Sequence, residues 1–159
     1  MIFKVLSEEP QKDGSLLLEC EFDEEWKQAY KKATGKKRAT KKGMEKWVIE
    51  KIKNTALLFE KENKRLPDIA CLGLAFKPNI DDLRESPALY VAQSLKKGNF
   101  NILAVEPNIN GHKDFNVCTL EDALEKADIL VYLVSHTEFF GVDEKGKVVL
   151  DFCGVKKDA

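Results

Sequence analysis

Cysteine and histidine are scarce in this chain: 4 Cys and 2 His among 159 residues. Cys20, Cys71, Cys118 and Cys153 lie far apart, with no C-x-x-C and no His at ligand spacing. That pattern argues against a zinc site or a disulfide framework and for a reduced, cytoplasmic protein. No apolar run approaches the ~20 residues needed to cross a bilayer. Lys4, Glu8 and Glu9 interrupt the first ten residues, where a signal peptide would be continuously apolar. With 9 Gly and 5 Pro the chain is neither collagen-like nor of low complexity. Glycine patterns that bind phosphates are missing as well: there is no G-x-G-x-x-G and no P-loop, nor an H-E-x-x-H or a nucleophile elbow.

What is present is the material of a folded domain. Hydrophobic residues make up 43% and charged residues 33%, and a chain of this length buries about two-thirds of its unfolded surface. The net charge of −1 hides an asymmetry. Residues 1–67 hold 16 Lys+Arg against 12 Asp+Glu, a net of +4, and the remainder a net of −5. Two pieces of different character are expected.

In the first piece, Ile2, Phe3, Val5 and Leu6 read as a strand and Leu16 to Phe22 as a second, with turn chemistry at Pro10, Asp13 and Gly14. Asp23 then caps a helix through Trp26, Ala29, Tyr30 and Ala33 that stops at Gly35. Residues 31–42 carry six Lys and one Arg without an acid. Such a run contacts phosphates or nucleic acid, or serves as a solvated connector, and the lack of interleaved aromatics favours the connector. A longer helix over 44–63 presents Met44, Trp47, Val48, Ile52, Thr55, Ala56 and Phe59 as one stripe.

After Leu66-Pro67 the pattern changes to continuous apolar runs, the mark of strands buried on both faces: Ile69 to Phe76, Ile102 to Val105, Ile129 to Val134 and Val148 to Phe152. Val117-Cys118 reads as a further short strand. Between the runs lie a helix opened by Ser86-Pro87, with Leu89, Tyr90, Ala92 and Leu95 inward and Gly98 at its stop, and one opened by Thr119. This alternation predicts an α/β fold with a Rossmann-like parallel sheet and flanking helices, preceded by the hairpin, helix and long helix.

Ligands of such sheets bind beyond the carboxyl ends of the strands. The connection from Lys77 to Pro87 is long for a strand-to-helix link, which typically takes 2–6 residues. It gathers Lys77, Asp81, Asp82, Arg84 and Glu85 beside a helix start at Ser86, where free N–H groups favour an anion. Lys77 offers a point charge and Arg84 a planar fork for a phosphate. The opposing reading pairs Asp81 or Asp82 with Arg84 to hold the loop and leaves Ser86 as a cap. Glu106 stands where a ribose-binding acid would, and His136 follows a strand end as polar lining or catalyst.

The run Cys71-Leu72-Gly73-Leu74-Ala75-Phe76-Lys77-Pro78-Asn79-Ile80-Asp81-Asp82-Leu83-Arg84-Glu85-Ser86-Pro87-Ala88 closely resembles a signature of the UDP-glucose/GDP-mannose dehydrogenase family, and looks most like its UDP-N-acetyl-D-mannosamine dehydrogenase branch. Ala104 to Ile109, Val134 to Phe139 and Trp47 to Ile52 are similar to further family segments in the same order. The resemblance covers roughly residues 46–154; residues 1–43 show none.

What the resemblance implies is a fragment carrying the family's C-terminal UDP-sugar-binding domain. It divides the chain into an unassigned 1–43, a helix over 44–66 like the end of the family's central helix, and the α/β domain over 67–159. Phe76 and Lys77 would contact a UDP-sugar, UDP-N-acetyl-D-mannosamine by branch. Arg84 would complete the site, Ser86 would present the helix end to the diphosphate, and Asp81, Asp82, Glu106 and His136 would line it. Family members oxidise the sugar C6 alcohol in two NAD-dependent steps through a cysteine-bound intermediate. This chain carries neither the NAD loop nor that cysteine context, so no cofactor is expected in it and no turnover by it alone. The apolar face of the long helix with Trp47 either pairs with another copy, as a homodimer, or packs on residues 1–34; neither a membrane nor nucleic acid is expected as partner. The competing expectation is a non-catalytic module binding protein or nucleic acid through its basic N-terminal part. An enzyme that borrows its NAD domain from a second chain is a third.

Overall fold

The computed structural model describes residues 3–10, 16–22, 24–36, 38 and 40–156. Asp13, Gly14 and Asp23, expected to turn the hairpin and cap the first helix, fall outside them. Strands β1 (Phe3–Pro10) and β2 (Leu16–Phe22) pair antiparallel as a separate two-stranded sheet, with a register shift between Val5 and Ser7. Helix α1 (Glu24–Thr34) follows and ends at Gly35, whose φ of 68° and N–H bond to the Lys31 carbonyl (2.8 Å) match its expected role.

Helix α2 (Lys41–Asn63) begins three residues earlier than its apolar stripe, because the Thr40 hydroxyl accepts the Gly43 N–H and caps it. Met44, Val48, Ile52 and Ala56 are buried, while Trp47 is half-buried, edge-on to Tyr30 of α1 and to Phe152. The stripe is therefore core of this chain.

The second sheet holds β3 (Asp68–Leu72), β4 (Asn101–Val105), β5 (Ile129–Tyr132) and β6 (Val148–Asp151), all parallel, in the order β4-β3-β5-β6. Alternation along the strands sorts the core into two layers. Ile69, Cys71, Ile129 and Val131 pack with α2 and α3 (Pro87–Lys97). Ala70, Leu72, Leu130 and Tyr132 pack on the other face with Ala123 of α4 (Leu120–Lys126), Phe139 and Cys153. Helices on both faces of a parallel sheet make the fold a doubly wound, Rossmann-like α/β domain. Its strand order reverses at β3, which has β4 on one side and β5 on the other.

Several element ends differ from the sequence reading. The first strand stops at Leu72, not Phe76, because Gly73 turns the chain at φ 92°. Leu74, Ala75 and Phe76 are buried without being strand. Tyr90, expected inward, is 49% exposed, and Val91 takes the core position instead. The α3 stop falls at Gly98 as expected: the helix ends at Lys97 and Gly98 is its cap, while the left-handed conformation falls on the next residue, Asn99, at φ 63°. Val117 forms only an isolated parallel bridge with Ala104. None of the helices among the described residues is long and apolar enough to cross a membrane.

Candidate functional site

Strand order reverses between β3 and β5, so their carboxyl ends mark the place where such sheets take ligands. Gly73 leads into it from β3 and Leu133 to Thr137 from β5. Their backbones meet closely: a Cβ on Gly73 would sit 2.5 Å from the Val134 Cβ and 2.9 Å from its nitrogen. Only glycine fits there.

The first four backbone N–H groups after β3 are engaged within the chain. Gly73 donates to the Val105 carbonyl (2.8 Å), Leu74 and Ala75 both to Glu106 Oε2 (2.7 and 2.9 Å), and Phe76 to the Asp82 carbonyl (2.8 Å). A carboxylate of the protein thus takes the place that a ligand's pyrophosphate occupies on a dinucleotide-binding turn. These residues do not fit a dinucleotide.

Glu106, directly after β4, is 2% exposed, so it is covered and does not reach out to a ribose. Its Oε1 accepts from the Asn108 N–H and side-chain amide (3.2 and 3.1 Å), and its Oε2 also meets His136 Nε2 at 2.9 Å. Burial pushes the Glu106 pKa up, but the hydrogen bonds from His136, Leu74 and Ala75 outweigh it and hold the carboxyl below its usual range. His136 is wholly buried, edge-on to Phe139. It does not line an open surface; its Nδ1 accepts the Asn79 N–H at 2.9 Å. Asn79 in turn accepts from the Thr137 N–H (2.9 Å) and hydroxyl (3.2 Å) through Oδ1. Asn79 was not foreseen. Its signal was the Pro78-Asn79 pair, since Asn tolerates the left-handed conformation it adopts here at φ 59°.

Held at Asn79, the loop presents Lys77 half-buried, with its ammonium 5.8 Å from the Phe76 ring centre. Phe76 is 8% exposed. Among the described residues no carboxylate forms an ion pair with Lys77. Arg84 differs: its Nε and NH2 reach the two oxygens of Asp82 at 3.0 and 2.8 Å. The hydrogen bonds from Arg84 bring the Asp82 pKa down to about 2. Of the two opposing readings of these charges, the pairing one describes Arg84 and Asp82. Asp81 is exposed and takes no part in that pair. The Ser86 hydroxyl donates its one proton to the Leu74 carbonyl (2.6 Å) and accepts the Leu89 N–H (3.3 Å), so it fastens α3 to the chain leaving β3.

Other features of the chain offer less chemistry. Cys71 and Cys153 are buried, which pushes both thiols up to about 12 and leaves them protonated at neutral pH. No cluster of His, Cys, Asp and Glu among the described residues could hold a metal ion. A groove of about 470 Å³ between α1 and α2 is lined by Tyr30, Trp47 and three lysines, Lys36, Lys46 and Lys51. A second, of about 590 Å³, lies between the starts of α2 and α3 beside Lys41, Lys42 and Ser86.

A parallel, doubly wound sheet whose order reverses between β3 and β5, with a cation-bearing loop at those strand ends, defines a nucleotide-binding class of α/β domain. The family model described as the UDP-glucose/GDP-mannose dehydrogenase family, UDP binding domain, matches residues 70–158, and the chain belongs to that family. The UDP-N-acetyl-D-mannosamine dehydrogenase of Salmonella typhi is 47% identical over 106 residues, covering 61% of this chain and 25% of that protein. The protein of the same name from Campylobacter jejuni is 45% identical over 95 residues, covering 55% and 23%. The solved UDP-glucose dehydrogenase of Pyrobaculum islandicum superposes with a TM-score of 0.56 at 27% identity, over 72% of this chain and 27% of that one. The chain spans about a quarter of the length of the curated relatives it matches.

Proposed function

We propose that the α/β part of this chain, residues 67–159, binds the UDP portion of a UDP-sugar at the carboxyl ends of β3 and β5. UDP-N-acetyl-D-mannosamine is the sugar nucleotide favoured by the names of the relatives. One observation carries the reading: Lys77 stands half-buried and without an ion-pairing carboxylate among the described residues, on a loop tied down at Asn79. An ammonium so placed is ready for the diphosphate, and Phe76 gives an apolar wall beside it. Arg84 would serve as a second cation by exchanging Asp82 for phosphate oxygens. Ser86 supports the site by holding the start of α3, with its one hydroxyl proton spent on the Leu74 carbonyl.

The reading gives this chain binding and no redox chemistry. The turn after β3 offers no dinucleotide cradle, and the buried thiols are poor nucleophiles. NAD and the reactive cysteine would belong to other parts of a longer family member. A homodimer through α2 would use Leu57 and Leu58, which are 56% and 61% exposed, since the opposite face is already core.

Calorimetric titration with UDP tests the proposal. Binding that weakens about tenfold or more in Lys77→Ala supports it, as expected for loss of a charge-assisted bond. No heat at millimolar UDP, or equal affinity in the variant, overturns it.

A further inference from the structure

Hydrogen bonds around the buried Glu106–His136 pair allow a single protonation arrangement. An ionised carboxylate only accepts, so His136 Nε2, 2.9 Å from Glu106 Oε2, carries a proton. The Asn79 N–H only donates, so His136 Nδ1, 2.9 Å away, is bare. The imidazole is therefore the neutral Nε2–H tautomer. We propose that Glu106 and His136 are positioning residues for the ligand loop: the neutral imidazole, oriented by the carboxylate, holds Asn79 and so sets Lys77, two residues earlier, where a nucleoside diphosphate meets it.

Connectivity supports this role. The pair joins the end of β4 to the chain leaving β5, and Asn79 adds the loop after β3. Three strand ends thus meet at one imidazole. Asn79 sits at φ 59°, and the two Thr137 bonds to its side chain keep it there. The Asn108 amide lies 3.2 Å from Nδ1 and 3.1 Å from Glu106 Oε1, closing the ring of contacts. A proton gained at Nδ1 would set N–H against N–H at Asn79 and release the loop. Glu106, from β4, is the charged group facing His136 among the described residues. Asn79 from the loop, Asn108 after β4 and Phe139 beyond β5 face it uncharged.

This inference takes its ligand from the UDP reading above, and the experiment separates the two. UDP is titrated into the wild type, His136→Gln and Glu106→Gln between pH 5.5 and 8, with amide hydrogen exchange on the unliganded proteins. Because the terminal phosphate of UDP titrates itself, near pH 6, the readout is the difference between wild-type and variant profiles. At pH 8 the affinity of His136→Gln is expected to be at least tenfold weaker. Exchange at Asn79 should be faster in His136→Gln while β3 and β5 stay protected. Nitrogen resonances of the wild-type ring should show the Nε2–H tautomer. Equal affinities with parallel pH profiles, or an Nδ1–H ring, overturn the positioning role. If the wild type does not bind UDP at all, the UDP reading falls, and the clamp is decided by the tautomer and by Asn79 exchange in His136→Gln. Should that variant lose protection throughout β3 and β5, Thr137→Val, which removes one bond to Asn79, decides the matter by faster exchange at Asn79 alone.

Discussion

Gly73 is the residue whose replacement the structure forbids most clearly. A methyl group there would meet Val134 at contact distances that real side chains do not adopt, at a φ of 92° that disfavours any Cβ. Gly73→Ala is expected to lower stability by about 3 kcal/mol, from the strained φ and the overpacking together. Chemical denaturation checks this; a loss within ~0.5 kcal/mol would mean that the two strand ends separate easily. Asp82 supports a second prediction. Its pKa is lowered to about 2 by Arg84, so the pair stabilises the fold above the usual carboxylate value of 3.8 and that contribution fades as pH falls through about 2. The pair is largely exposed, so solvent screens it and the effect on stability is small. NMR titration should find the Asp82 pKa raised towards its ordinary value in Arg84→Ala, the bond from the backbone N–H of residue 84 (3.0 Å) keeping part of the shift. An unchanged Asp82 would assign its shift to some other group.

At the scale of elements, the molecule depends on ties between segment ends. Ser86 caps α3 and holds the Leu74 carbonyl, and it is 5% exposed. Ser86→Ala should lose about 1–3 kcal/mol, one cap plus one buried acceptor left unmet. A melt unchanged from wild type would contradict that. The end of α2 is tied to the start of β5: the Arg65 guanidinium reaches both Asp128 oxygens at 2.7 and 2.6 Å, and the Asp68 N–H adds a bond at 2.9 Å. The bond from Arg65 is the chief cause holding Asp128 below its usual 3.8. Its stabilisation is complete above that value and is lost as pH falls below it. Asp128→Asn should flatten the acid limb of the stability profile, and an unaltered limb would show that the tie contributes nothing.

Elements were largely legible in the sequence because apolar runs, caps and the 3.6-residue stripe are local signals. Ends were less legible. Leu74 to Phe76 read as strand since burial, not extension, is what makes them apolar. Tyr90 alone departs from the expected inward face, because the buried stripe of α3 runs through Ala88, Val91, Ala92 and Leu95 and leaves Tyr90 at its edge. The Glu106–His136–Asn79 cluster was hidden for another reason. Its members lie 27 to 57 positions apart and meet only through the strand order.

For the whole molecule, the family assignment and the geometry describe a binding domain whose anion-seeking turn is already filled by its own carboxylate. Lys77, the cation proposed for a ligand, stands two residues beyond Ala75 on the same connection. Two copies associating through α2 would cover Leu57 and Leu58, so Leu58→Lys should shift any dimer seen by light scattering towards monomer, and a mass unmoved by it would place the contact elsewhere. The central claim, that UDP sits above β3 and β5 on Lys77, is tested most directly by following backbone amide resonances during a UDP titration. The account predicts progressive shifts at Phe76 to Arg84 and at Ser135 to Thr137. Shifts confined to Lys36 to Lys51 beside the groove between α1 and α2, or none at millimolar UDP, would contradict it.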